Sequence, residues 1–403
     1  MSVQAVASLR TRAVQVPVML VGLGHGGTHW IAATFYLVLP FVTRDLGLSY
    51  AQAGVIASCF HIGSALANVP SGTLVDLTGR RVLFQAISLL VGGAALFLFG
   101  MSRAYLMFCL LVGVIGTTNM LWHPAAISFL SNHLPRNRGY ALSIHSLGAH
   151  IGDALAPLAA GWMLLYLSWH GTVQINALIG MLPVIPLLAV LGRGDGEARA
   201  ATKATDFGTY FKSFIEIART RAMWSLCLMA GFRTMMQTGL LLYLPFYLAN
   251  VLKFDPFWMG VALMVLQLGG MVAAPIAGVV SDRIGRRPVV LAGMSLTTLM
   301  IIGLTFIGNA TVYVAAIAVL GFVMYAMRPV IHSWLMDRSP PHLAATMTGA
   351  MFGTQAVLSA LTPVIGGLIA DRFGLLAVFY FLAASVLVAN LLALAVPRTE
   401  HGS

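Results

Sequence analysis

The sequence is short of charge. Only 9% of its 403 residues are Asp, Glu, Lys or Arg, against about a quarter in soluble domains. Acids are scarcer than bases, 12 Asp and Glu against 23 Lys and Arg. A chain with so little polar surface cannot stay in water, which excludes the ordinary soluble classes. Cysteine is nearly absent too. Cys59, Cys109 and Cys227 all fall in apolar runs, without disulfide or metal spacing, and read as small buried packing residues. There is no glycine-rich phosphate loop, and no nucleophile–base set or metal-ligation pattern stands out. Nothing therefore points to an enzyme or to a resident cofactor.

What is present is apolar length. Hydrophobic residues make up 59% of the chain, and the mean hydropathy is +0.88. A membrane-spanning helix needs about 20 mostly apolar residues. Twelve such runs are centred in 15–40, 51–72, 82–101, 104–131, 140–167, 170–192, 222–250, 257–279, 287–307, 310–336, 344–370 and 373–397. The opening stretch MSVQAVASLRTR reads as a cytoplasmic lead-in, not a cleavable signal. The net charge of +11 is unevenly placed. Arg44, Arg103, Lys253 and Arg372 fall on one side of the membrane, Arg233 and Arg328 inside helices, and all other Lys and Arg on the other side. This is the positive-inside pattern. It predicts a multi-pass membrane protein with both termini cytoplasmic, for which a bacterial plasma (inner) membrane is the expected setting, and it makes the basic balance a topology signal with no nucleic-acid partner.

The chain repeats itself. GTLVDLTGRR (72–81) answers GVVSDRIGRR (278–287), with Asp76 and Asp282 206 residues apart. Pro40 and Pro245, Pro124 and Pro329, and Pro135 and Pro340 are each 205 apart, and Gly161 and Gly367 are 206 apart. Residues 1–191 and 222–403 thus read as two six-span copies in the same orientation, joined by a polar cytoplasmic linker over 192–221 in which YFKSFIEIA suggests a surface helix. Twelve spans, parallel halves and a doubled G-x-x-x-D-x-x-G-R-R loop resemble the major facilitator superfamily. More narrowly, GTTNMLWHPAA followed by YALSIHSLGAHIGDALAPLAAG is similar to the fosmidomycin-resistance type of efflux carrier. The resemblance implies an all-α membrane protein, with twelve transmembrane helices in two parallel-repeat six-helix bundles.

The loops have a physical reading of their own. In the first copy a carboxylate at a helix end, Asp76, precedes the turn residue Gly79 and the pair Arg80 and Arg81; in the second, Asp282 precedes Gly285, Arg286 and Arg287. Asp76 and Asp282 can pair with the arginines or with the positive end of a neighbouring helix, while Gly72, whose repeat counterpart in the latch is Gly278, would let two backbones approach. Such a cluster would act as a latch made in one transport state and broken in another.

Ionisable groups inside lipid are costly and mark pathways. Span 1 carries His25 and His29, span 4 Asn119 and His123, span 7 Arg233 and Gln237, and span 10 Arg328 and His332. Each pair is i, i+4, on one helix face. In the superfamily that the chain resembles, these four spans line the central cavity, which makes the eight residues its substrate-binding set. The glycines around His25 and His29 suggest a narrow or bendable helix. With no acid on these spans, the two arginines imply an anionic small-molecule substrate. Six histidines (His25, His29, His123, His145, His150 and His332) also raise an imidazole metal site; two arginines in the same cavity would repel a cation, and no metal is expected. Any one of His25, His61, His123 and His332 could instead bond a neighbouring helix.

Asp153 lies one turn from His150 and could share a proton with it. The run from Gly152 through Pro157 to Gly161 resembles the span-5 antiporter motif, with Ala156 and Ala160 where the family has glycine. The family's span-4 arginine is missing, its places before Gly113 and Gly116 being Cys109 and Val112. The reading is a monomeric secondary transporter in the lipid bilayer, driven by a proton gradient, that exports a small organic anion or drug-like compound. Proton-symport uptake of an organic acid or other metabolite, and a non-transporting sensor, are the alternatives.

Overall fold

The computed structural model describes residues 12–192, 221–339 and 344–396. The expected linker, but for residues 192 and 221 at its ends, lies outside them, as do its surface helix and Pro340. Among the described residues all regular structure is helical: α1 (Arg12–Asp45), α2 (Tyr50–Thr78), α3 (Arg81–Phe99), α4 (Tyr105–His133), α5 (Arg138–Met163), α6 (Trp169–Met181), α7 (Val184–Leu191), α8 (Arg221–Asn250), α9 (Pro256–Ile284), α10 (Arg286–Leu304), α11 (Ala310–Asp337), α12 (Ala344–Phe373) and α13 (Leu375–Ala395). Helices α6 and α7 form one span, Trp169–Leu191, so the twelve expected spans are all present in order.

Length and hydropathy alone qualify eight of these spans as membrane-crossing, and nine when α2, bent by 43° at Pro70, is taken whole. The three that fall short are α1, α5 and α8. They carry His25 and His29; His145, His150 and Asp153; and Arg233 and Gln237. The deficit in hydropathy therefore falls on helices singled out for their polar residues. Prolines sit inside helices at 40, 70, 124 and 157 and again at 245, 275, 329 and 363, which are repeat-equivalent places. Membrane helices tolerate them because neighbouring groups satisfy the freed carbonyls.

Contacts divide the chain into two units. The first takes the described residues within Met1–Leu46, Cys59–Thr202 and Asp255–Met264; the second takes those within Gly47–Ser58, Lys203–Phe254 and Val265–Ser403. In the first, α1 packs on α5 and α6, and α3 on α4 and α6. In the second, α8 packs on α12 and α13, and α10 on α11 and α13. The pairing scheme is the same, so the sequence repeat is also a repeat of packing.

Glycine makes the closest of these contacts. A Cβ on Gly148 would collide with the Gly22 carbonyl, and one on Gly152 with that of Gly26, so α1 and α5 meet backbone to backbone. Gly116 of α4 lies against the Phe60 carbonyl of α2, and its counterpart Gly321 of α11 lies against that of Leu266 in α9. A further pair of seams runs crosswise through the sequence. Gly260 abuts the Pro157 carbonyl and Gly161 that of Pro256, while Gly54 abuts the Pro363 carbonyl and Gly367 that of Tyr50. Small residues drive helix association in lipid by allowing this approach.

Candidate functional site

In the first unit the structure gathers the polar residues of α1, α4 and α5. The rings of His25 and His29 meet edge to face with centroids 4.7 Å apart, and His123 lies 5.2 Å from His25. His25 is 5% exposed. Its Nδ1 lies 2.7 Å from the carbonyl oxygen of His145, whose own ring stacks on it at 3.7 Å. A carbonyl only accepts, so His25 Nδ1 carries the proton and donates. His29 Nδ1 stands 3.0 Å from Asp153 Oδ2, with both side chains about a quarter exposed (24% and 22%). His123 Nδ1 donates to the Asn119 carbonyl at 3.0 Å. Trp122 Nε1 donates to His145 Nε2 at 3.1 Å, fixing the last ring of the group.

Small residues make this gathering possible. His145, Ala149 and Gly152 are the buried face of α5, and Gly24 leaves room for the Trp122 indole. The glycines flanking His25 and His29 were expected to make α1 narrow or bendable. Helix α1 is unbroken from Arg12 to Asp45, and Gly22, Gly24 and Gly26 serve close packing. A separate cavity of about 700 Å³, bordered by Gly22, Gly26, Trp30, Gly148 and Gly152, is apolar and holds none of the histidines.

In the second unit Arg233 of α8 is 4% exposed. Its Nη2 donates to the Met324 carbonyl of α11 at 3.0 Å, and its Nε is buried without a partner among the described residues. Arg328 of α11 is exposed and lies within electrostatic reach of Arg233. Among the described residues neither arginine forms an ion pair. His332, one turn beyond Arg328, stacks on Phe352 at 5.9 Å, and Gln237 is partly exposed one turn beyond Arg233. This is an electropositive group on two helices, with a guanidinium that is not fully satisfied.

The repeated loops differ from one another. Gly79 and Gly285 both take positive φ, 69° and 93°, the left-handed conformation that a side chain resists. In the second copy Arg286 pairs with Asp282 and donates through Nε to Asp337 Oδ2 at 3.0 Å. Arg287 donates to the Leu394 carbonyl at 2.8 Å. In the first copy Arg81 donates to Ser128 Oγ at 2.7 Å, and Asp76 makes no ion pair among the described residues. The place equivalent to Asp337, 205 residues earlier, is Asn132, so the second acid is missing there. The close approach expected at Gly72 is not found: a Cβ there, or at its counterpart Gly278, would meet nothing within 4 Å among the described residues.

Two features escaped the sequence reading. The expected partner of Asp153 was His150, its neighbour in sequence; the ion pair in the structure is with His29, on a helix that no local spacing relates to it. A third copy of the loop pattern, GLIADRFG (367–374), also passed unnoticed. Its glycine Gly374 has φ 84°, and its acid Asp371 accepts from the backbone N–H of Tyr50 and Ala51 at 2.8 and 2.9 Å, capping the start of α2. The G-x-x-x-D-x-x-G spacing was the available signal.

Comparison with known proteins agrees with this architecture. The Major Facilitator Superfamily model matches residues 21–361 and 259–403. The multidrug efflux pump Tap of Mycolicibacterium fortuitum is 22% identical over 91% of this chain and 92% of its own length. The probable hexose phosphate transport protein of Chlamydia pneumoniae is 24% identical over 66% of this chain, and the chain spans 63% of that protein. Among solved structures, the nucleoside transporter NupG superposes with a TM-score of 0.80 at 13% identity, covering 95% of this chain and 99% of that one. These matches, with the repeated six-span packing and the polar residues confined to particular spans, identify a multi-pass membrane transporter of small molecules and not an enzyme: the chain belongs to the Major Facilitator Superfamily.

Proposed function

We propose that the chain is a proton-coupled secondary transporter that exports a small organic anion or drug-like compound by alternating access. The repeats 1–191 and 222–403 are its two halves, and its termini are cytoplasmic. The observation that carries the reading is Arg233, whose buried Nε has no partner, beside an exposed Arg328 in a unit that offers neither an ion-pair partner among its described residues. A buried guanidinium is retained at a cost of several kcal/mol, which is repaid when an anionic group completes its hydrogen bonds. A fork of donors suits carboxylate, phosphate or phosphonate. Gln237 and His332 supply neutral donors on the same two helices, and His25, His29, Asn119 and His123 are the polar substrate-binding residues proposed for the first unit.

The proton is carried by Asp153 with His29. Their 3.0 Å contact lets one proton reside on either group, with His150 one turn away as the relay toward the helix start. Asp282, Arg286 and Arg287 form the latch of the second copy; Gly72, Asp76, Gly79, Arg80 and Arg81 form its weaker counterpart, with Gly278 and Gly285 shaping the second loop. Uptake by proton symport is the second reading. Ala156 and Ala160 favour it, since they replace glycines of the antiporter motif, and so does the hexose phosphate named for the chlamydial relative.

The test is transport in proteoliposomes under an imposed pH gradient, across organic phosphates and phosphonates, carboxylates, organic cations and neutral sugars. Anions moving against proton flow are the expected result. Movement of cations or neutral sugars alone would remove the anion reading, and anions moving with protons would favour uptake.

A further inference from the structure

We propose that His25, His29 and His123 form a binding site for a divalent cation of the Zn2+ class, oriented by Asp153 and two backbone carbonyls. One ring nitrogen from each of the three lies within 4.8 Å of the other two. The proton positions make these rings ligands. In each, Nδ1 faces an oxygen: the His145 carbonyl for His25, the Asp153 carboxylate for His29 and the Asn119 carbonyl for His123. Nδ1 therefore donates in all three, which leaves the lone pair on Nε2. At His25 and His29 that Nε2 is buried and has no hydrogen-bond partner among the described residues. A buried acceptor facing nothing is costly, and two of them on neighbouring rings of one three-histidine cluster call for a Lewis acid.

The arrangement around the rings is that of a metal site. Histidine ligands commonly donate their second nitrogen to a carboxylate or a backbone carbonyl, which fixes ring orientation and raises basicity. Here one carboxylate and two carbonyls do this. A tetrahedral ion with Zn–N of about 2.0–2.1 Å places its nitrogens about 3.4 Å apart, so binding draws the rings together by small side-chain rotations. Three ligands leave a fourth position for water. All-imidazole ligation selects Zn2+, Co2+, Ni2+ or Cu2+ over Mg2+ or Ca2+, which take oxygen ligands. His145 is not a fourth ligand, because its Nε2 accepts from Trp122.

The sequence argued against a cation because of Arg233 and Arg328. Both belong to the second unit. The helices that carry the three ligands and Asp153 have no Lys or Arg except Arg12, Arg44 and Arg138, all at helix ends. Asp153 supplies the negative charge that favours a cation. The site shares His25, His29, His123 and Asp153 with the export reading, but its test is separate, because it is read out by metal binding to purified protein and needs no transported substrate.

The test uses the full chain, purified in detergent after removal of any polyhistidine tag, and titrated with Co2+ by visible absorption and with Zn2+ by calorimetry. One ion per chain with the intense ligand-field bands of tetrahedral Co2+ is expected. His25→Gln, His29→Gln and His123→Gln should each abolish the bands. Asp153→Asn should keep one ion per chain but weaken affinity about 10- to 100-fold, while the exposed His133→Ala should bind as the parent does. Thermal unfolding without metal checks that each variant is folded, and the Asp153→Asn titration decides if a histidine variant is not. No bound Co2+, or full-affinity binding in any folded variant of the three histidines or in Asp153→Asn, would overturn the site.

Discussion

Arg233 offers the sharpest separation between a functional and a structural residue. Consider Arg233→Met, which keeps the apolar stem and removes the guanidinium. The wild-type side chain makes one charged hydrogen bond, Nη2 to the Met324 carbonyl at 3.0 Å, worth about 1.5–3 kcal/mol. It also buries an Nε without a partner, and such an orphan costs about 1–3 kcal/mol. The two nearly cancel. The ligand-free variant should therefore unfold within about 1.5 kcal/mol of the parent, since what is lost at Met324 is regained by removing the orphan. Anion affinity behaves differently. If the guanidinium is completed by substrate, a charge-assisted contact of about 1.5–3 kcal/mol disappears, a fall of roughly 10- to 100-fold in affinity. The assay is thermal unfolding of purified protein with and without the transported anion, alongside direct titration. Arg233→Lys should recover only part of the affinity, because a point charge cannot form the two-pronged contact. The reasoning is refuted if Arg233→Met unfolds several kcal/mol more easily while binding the anion normally, for then the arginine is a tie to the α11 backbone.

Other expectations follow from single contacts. Asp153→Asn should abolish accumulation driven by a pH gradient while sparing counterflow exchange; an unchanged pH dependence would remove the proton role of the His29–Asp153 pair. Asp282→Asn should slow transport more than Asp76→Asn, since only Asp282 is ion-paired among the described residues, and equal rates in both would reduce the loops to topology signals. Gly148→Val should destabilise by about 1–3 kcal/mol through overpacking, because its Cβ meets the Gly22 carbonyl. Gly72→Ala, in open space, should instead stabilise by about 0.5–1 kcal/mol, and chemical denaturation of the two reads the opposite signs directly. Single cysteines at Arg80 or Arg286, in a background lacking the three natural ones, should resist an impermeant thiol reagent applied outside; labelling there would reverse the proposed orientation.

Fold and repeat were legible because both are written in one-dimensional patterns. Apolar length marks a span whatever its neighbours, and the 206-residue offset between Asp76 and Asp282 needs only alignment of the chain with itself. The i, i+4 polar pairs were legible for the same reason, since a helix face is a local property. Contacts between helices were not. Asp153 could be matched in sequence only with His150, one turn away, whereas its ion-pair partner is His29, brought close by the Gly26–Gly152 approach of α1 and α5. His145 is buried under His25 for the same reason. The role of glycine was the least readable of all. Gly72 and Gly148 look alike in a string of letters, yet one faces open space and the other a backbone, and only the partner helix tells them apart.

The crosswise seams obey a rule of exchange. Gly54 lies against Pro363, and Pro157 lies against Gly260; adding 206 to 54 and to 157 gives 260 and 363. Each contact thus turns into the other when the two repeats are exchanged. That is the rule of an isologous interface, where residue i of one subunit meets j of its mate and j meets i. Before duplication, a six-helix ancestor could have made both seams at once by pairing with a second copy of itself across a two-fold axis. Fusion of two such copies would carry that pairing rule into one chain, and Asp371, with no acid at its counterpart Leu165, is a place where the two repeats differ.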